Sequence, residues 1–204
     1  MSVHRPLTAV RSPGEVYGHA KRLGGAVGNA HLTSLAGAVL IVLLAVEGAT
    51  IPFLGQLLSV HVFVGMLLLG PVALKLASTG YRFARYYGSS DEYVRAGPPV
   101  PLMRFLVAPV VVVTTITLFA TGVLLIVTPQ RGTILLLHKA SFVVWLGAMS
   151  IHVLFYARRV VHHLAARVPG ELLRAGAVAL AIAAGVAIAF ATYSLAAPWL
   201  HHSV

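Results

Sequence analysis

His138-Lys-Ala-Ser-Phe-Val-Val-Trp-Leu-Gly-Ala-Met-Ser-Ile-His152 is the stretch on which the reading of this chain turns. It is an apolar run with a histidine at each end, and the two histidines stand fourteen residues apart. At about 3.6 residues per turn they fall on nearly one side of a helix, ~21 Å apart along its axis. In a left-handed bundle, where the repeat tightens to about 3.5, they align fully. One helix face therefore offers an imidazole at each of two depths.

The surrounding composition says what kind of helix this is. The 204 residues are 58% hydrophobic and 10% charged, with a mean hydropathy of +0.89. A soluble domain carries roughly a quarter charged residues, and several apolar runs here reach the ~20 residues that cross a bilayer as a helix. The sequence reads as an all-α integral membrane protein in contact with the lipid bilayer. The net charge of +10 does not point to nucleic acid, because the basic residues flank the apolar runs, where they set membrane orientation. Cysteine is absent, which removes disulfides, iron–sulfur clusters, thiolate zinc sites and covalent c-type haem attachment. Redox chemistry, if present, falls to histidine ligands, a non-covalent cofactor, or both.

Five spans are expected: Gly28 to Glu47, Gln56 to Thr79 with a kink at Gly70-Pro71, Phe105 to Val127, Ile134 to Ala157, and Leu172 to Ala196. Residues 1–27 form a basic arm without the apolar core of a cleaved signal, 28–160 a four-helix membrane bundle, and 161–204 a loop, a fifth helix and a short tail. The 80–104 and 158–171 segments read as polar loops. Four basic residues lie in the arm (Arg5, Arg11, Lys21, Arg22), four in the first of these loops (Arg82, Arg85, Arg95, Arg104) and four in or beside the second (Arg158, Arg159, Arg167, Arg174). The opposite connections hold only Arg131, so twelve against one puts the N-terminus in the cytoplasm and the C-terminus outside a cytoplasmic (plasma) membrane. Short connections imply an up-down arrangement of the first four spans. The fifth, free of titratable residues in its interior, reads as a peripheral, lipid-facing transmembrane helix.

Few ionisable residues remain inside these spans, and such residues are costly in lipid unless they face the bundle interior. They are His31, His61, Lys75, His138, Lys139 and His152, with Glu47 at an edge. His61 and His138 lie at similar depths below the outer ends of parallel spans and so share a level. His152 lies near the inner end of its span, where either His31 or Lys75 meets it. Two imidazoles at one level on facing helices are what a b-type haem needs, one axial nitrogen above the iron and one below. Gly37, Gly65, Gly122 and Gly147 are candidates for making room beside a ring. His4, His19, His162, His163, His201 and His202 fall in loops or tails and read as solvated.

This placement resembles that of the four-helix dihaem cytochromes b, among them bacterial cytochrome b561 and the membrane subunit of formate dehydrogenase. In that scheme the first span gives an inner histidine, the second an outer one, and the fourth both partners. The resemblance covers roughly residues 20–160. It implies a four-helix haem-binding bundle, His31 with His152 around an inner haem b and His61 with His138 around an outer one. The family's frequent His-Trp at the first ligand is His31-Leu32 here, and Lys75 stands where other dihaem cytochromes b carry a second histidine. Lys75 can be read as a ligand, as a partner for a haem propionate, as part of a quinone or proton site, or as a snorkelling side chain.

The function expected is transmembrane electron transfer through one or two haem b groups, exchanging electrons with a membrane quinone or a redox partner protein. Substrate chemistry would belong to a partner, so an electron-transfer subunit of an oxidoreductase is expected rather than a stand-alone enzyme. Glu47 by the outer site, and Lys75 with Tyr81 by the inner one, are candidates for proton exchange with the quinone. The same residues also allow a haem-free transporter or proton path, or a subunit that only anchors a partner.

Overall fold

Hydropathy decides where the helices of this chain begin, but several outlast their apolar stretches. The structure, a computed structural model, describes residues 24–128 and 132–196; the basic arm with His4 and His19, the turn residue Arg131 and the tail with His201 and His202 lie outside the described residues. Among the described residues all regular structure is helical. Helix α1 is Gly25–Thr50, followed by a single 3-10 turn, Ile51–Phe53, and by α2, Leu54–Tyr87. A short α3, Asp91–Arg95, precedes a π-turn, Met103–Val107, which runs into α4, Ala108–Val127. Helices α5, Gly132–Ala165, and α6, Glu171–Tyr193, complete the set, with a last 3-10 turn at Ser194–Ala196.

Four continuous stretches are long and apolar enough to cross a membrane: Gly25–Tyr87, Met103–Val127, Gly132–Ala165 and Glu171–Tyr193. Little of each is buried inside the protein, and large apolar side chains such as Val143, Leu154 and Leu180 point outwards. With no water-driven reason to leave them bare, that surface is one for lipid. The chain is a membrane protein whose regular structure, among the described residues, is all helical.

The first stretch, 63 residues long, folds back on itself. Near its open end Asn29 donates to the Ser78 carbonyl, Thr33 to the Ser78 hydroxyl, and Lys75 Nζ to the Thr33 carbonyl at 2.6 Å. At the turn, Thr50 caps the Glu47 carbonyl and also meets His61. These contacts run α1 and α2 antiparallel. The N-terminus of α1 is closed by a carboxylate from elsewhere in the chain: Glu92 on α3 accepts from the Ala26 N–H at 2.8 Å, where negative charge favours a helix start.

Two departures from the sequence reading concern helix ends and kinks. The 80–104 and 158–171 segments are not loops throughout, since α2 continues to Tyr87 and α5 to Ala165. An amphipathic continuation such as Tyr81–Tyr87 keeps helical spacing after its hydropathy has fallen. The kink expected at Gly70-Pro71 is not marked in the backbone dihedrals. The non-helical residue inside α2 is Leu57, at φ −110° and ψ 17°.

What happens at Gly70-Pro71 is packing. Proline has no N–H, so the Leu67 carbonyl one turn earlier loses its helical donor. Gly185 of α6 lies against that carbonyl, and Gly70 lies against the Ala181 carbonyl; a Cβ on either glycine would run into the opposing backbone. Helix α6 thus docks backbone-to-backbone on α2, aided by edge-on contacts of Phe63 with Phe190 and Tyr193. Its other face, with Leu172, Leu173 and Leu180, is bare.

The helices fall into two groups. One is α1, α2 and α6; the other is the antiparallel pair α4 and α5, pinned by Trp145 Nε1 donating to Thr115 at 2.9 Å and by Met103, Val107 and Val111 against Met149 and Tyr156. The groups meet chiefly where α1 lies on α5, with Phe119 of α4 reaching the Leu40–Val64–Leu68 cluster of the first group. Helices α2 and α5 make no extensive contact with each other.

Candidate functional site

Helices α2 and α5 nevertheless bring two histidines together, the pair expected to share the outer level. His61 and His138 lie close enough for the charge of one to act on the other. Each ring is held from behind through the same nitrogen. His61 Nδ1 lies 2.9 Å from Thr50 Oγ1 and 3.1 Å from Glu47 Oε1. His138 Nδ1 lies 3.1 Å from the Leu118 carbonyl and 3.1 Å from Thr121 Oγ1. Thr50 gives its hydroxyl proton to the Glu47 carbonyl and so accepts from His61, and the Leu118 carbonyl accepts from His138. An acceptor at Nδ1 makes it the protonated nitrogen and leaves Nε2 with its lone pair, the tautomer a ligating imidazole requires. Neither Nε2 has a hydrogen-bond partner among the described residues.

Three of the four glycines singled out in the sequence adjoin these polar groups. A Cβ at Gly122 would come 3.4 Å from His138 Cε1, one at Gly65 3.3 Å from Glu47 Oε1, and one at Gly37 2.9 Å from Lys75 Nζ. Gly147 faces open space. The glycines thus clear room for the side chains themselves.

The inner level is differently built. His31 is almost wholly buried, and its Nδ1 has no partner; His152 Nδ1 is likewise buried and unpaired. An unpaired buried ring nitrogen costs roughly 1–3 kcal/mol. No hydrogen bond or ring contact joins His31 to His152. His152 packs on Tyr156, with ring centres 4.8 Å apart, and feels the charge of Lys75. Lys75 itself is tied to α1 through the Thr33 carbonyl. Tyr81 lies at the exposed end of α2 against Tyr93, and Lys139 is exposed.

Two histidines expected in a loop, His162 and His163, lie in the last turns of α5, and His162 is exposed. His163 is half-buried, with Nδ1 3.1 Å from Ser34 Oγ and within reach of the charge on His31. The signal was available: His163 lies eleven residues beyond His152, almost a whole number of turns at ~3.6 residues each. Thr50 and Thr121 gave no signal, because threonine in an apolar helix ordinarily bonds its own backbone.

No group of three or more histidine, cysteine or acidic side chains gathers among the described residues. A metal ion held entirely by protein needs three or four such ligands, whereas an iron porphyrin brings four nitrogens of its own and asks the chain for two. The outer pair matches the second requirement in donor type, tautomer and placement on separate helices. Comparison with protein-family models, with curated proteins and with solved structures finds no match for this chain.

Proposed function

We propose that this chain carries electrons across a membrane through b-type haem held by paired histidines, His61 with His138 at the outer level and His31 with His152 at the inner one. The observation that carries this reading is the outer pair: two imidazoles on helices that do not pack on each other, each fixed through Nδ1 with Nε2 free. Bound there, haem supplies a one-electron iron couple.

The chain's own part is to orient and insulate. Glu47 and Thr50 hold His61, while Leu118 and Thr121 hold His138. The Leu40–Val64–Leu68 cluster keeps the interior between the levels apolar. At the inner level Lys75 is engaged by the Thr33 carbonyl, which favours His31 over Lys75 as the partner of His152. Electrons enter or leave through a membrane quinone or a redox partner protein, since nothing in the chain forms a large catalytic domain. As in the four-helix dihaem cytochromes b that the ligand placement resembles, the protein is an electron-transfer subunit.

The membrane arrangement proposed with it has five passes. Gly25–Tyr87 is 63 residues long, about three times the ~20 residues of one pass, and its two helices are antiparallel. Crossing twice, with the basic arm and the 88–102 connection on the cytoplasmic side of the plasma membrane, satisfies both length and the distribution of Lys and Arg.

Protein purified from haem-replete cells should give a reduced-minus-oxidised spectrum with b-type bands; their absence would sink the proposal. His61→Ala and His138→Ala should each remove the same haem, and His31→Ala and His152→Ala the other. Lys75→Ala should leave both. If Lys75→Ala removes a haem that His31→Ala retains, the inner pair is His152 with Lys75.

A further inference from the structure

At the end of the bundle away from His61 and His138, the first turns of α1, the end of α2, residues 96–98 and the last turns of α5 line a half-open cavity of about 230 Å³. We propose that it binds a phosphate-bearing anion. Its polar lining is Arg82 from α2 and Arg159 and His163 from α5, and its apolar lining includes Ala26, Ala30 and Pro98.

The argument is one of unbalanced charge. Arg159 and His163 are four residues apart and so share a face of α5, and Arg82 faces them from α2. The charges of Arg159, Arg82 and His31 all act on His163. Among the described residues neither arginine has a carboxylate partner, and the ion pair that is described, His61 with Glu47, belongs to the outer level. Glu92, whose carboxylate accepts from the N–H of the lining residue Ala26, does not itself line the cavity. Like charges brought together from two helices repel unless an anion lies between them.

Chemistry narrows the anion. Two guanidinium forks from different directions, with an imidazole beside them, match a group offering several oxygens around one centre, as phosphate does. His163 Nδ1 lies 3.1 Å from Ser34 Oγ and the ring also bonds the Ala30 backbone, so the imidazole borders the cavity while the two guanidinium groups supply the donors. At about 30 Å³ per water, the cavity has space for phosphate and an ester substituent, and its alanine and proline walls suit the carbon part of one. Anionic headgroups collect at basic helix ends of this kind. The source is therefore either a lipid headgroup or free phosphate, and this holds whether or not the chain binds haem.

The test uses the purified full chain in a neutral detergent with three probes: dihexanoyl phosphatidylglycerol, dihexanoyl phosphatidylcholine and inorganic phosphate. Thermal unfolding and native mass spectrometry are read for each. Phosphatidylglycerol should raise Tm by a few degrees and add one bound mass, since a ligand of the folded state stabilises it. The Arg82→Gln/Arg159→Gln variant should lose both effects, and Arg95→Gln, a change at an exposed arginine outside the cavity, should keep them. A response to phosphatidylglycerol alone identifies a lipid headgroup, and an equal response to inorganic phosphate identifies free phosphate. Equal responses to phosphatidylcholine and phosphatidylglycerol, no response at all, or an unaffected double variant would each overturn the proposal. Should the double variant not fold, the single changes Arg82→Lys and Arg159→Gln are read by bound mass, and full retention in both overturns it.

Discussion

His61 is held by a carboxylate and His138 by a carbonyl, and that difference matters for a ligand. A negative charge behind an imidazole makes it a stronger electron donor and favours the more positive iron. At a pH alkaline enough to ionise the buried Glu47, Glu47→Gln in the haem-loaded protein keeps the size and the hydrogen-bond acceptor of the side chain but removes its charge. Hydrogen bonds to charged groups are worth roughly 1.5–3 kcal/mol, and a tenfold change in a one-electron equilibrium is about 59 mV. The outer-haem midpoint should therefore rise by on the order of 60 mV, measured by potentiometric titration with optical readout, while the inner haem stays put. An unchanged midpoint would mean that Glu47 does not act on the ligand. At this scale the sequence was informative about the rings and silent about what holds them. Counting from the ends of the expected spans sets His61 and His138 at a similar depth, and the structure brings the two rings near each other. Thr50, Thr121 and the Leu118 carbonyl act through three-dimensional placement, which no spacing rule encodes. His163 was hidden for a different reason: the reading stopped the fourth span at its first arginine, although the helical repeat runs on.

Among the elements, α6 is the one whose role changes most between sequence and structure. Its alanine-rich composition and lack of titratable interior residues suggest a helix that simply faces lipid, and one of its faces is indeed bare. The other face is decided by two glycines, Gly70 and Gly185, and by a proline that frees the Leu67 carbonyl between them. The motif is legible only as Gly-Pro in one helix and one glycine among several in another; which glycine meets which depends on the crossing. Gly185→Val forces a branched side chain into the α2 backbone, so α6 must separate from α2. Overpacking of this kind typically costs 1–3 kcal/mol, and more when backbone stands in the way. Gly176→Val, on the same helix but facing open space, should be tolerated. Thermal unfolding of the two variants in detergent checks this: a clear loss of Tm or of monodisperse yield is expected for Gly185→Val only. Equal behaviour of the two would mean that the close crossing is not what holds α6.

For the whole molecule the decisive question is how Gly25–Tyr87 lies in the bilayer, because the proposed two-level haem arrangement needs His31 of α1 and His61 of α2 at opposite depths. The absence of cysteine, which narrows the redox chemistry, also makes the question directly measurable, since any single introduced thiol is the only one present. Gly55 lies beside the 3-10 turn that joins α1 to α2, with open space around it. Val100 is exposed in the connection between α3 and the π-turn. If α1 and α2 each cross, these positions lie on opposite faces. Gly55→Cys should then react with a membrane-impermeant maleimide in intact cells, and Val100→Cys only in inverted vesicles or after permeabilisation. Reaction of both from one face would remove a pass and, with it, the shared depth of His61 and His138. The reverse pattern, Gly55→Cys labelled only from inside, would keep the hairpin but invert it. The twelve-to-one excess of Lys and Arg would then not set orientation, and the cavity lined by Arg82 and Arg159 would face the outer leaflet. The same two thiols thus test the five-pass arrangement and the side of the membrane on which the phosphate-bearing ligand is to be sought.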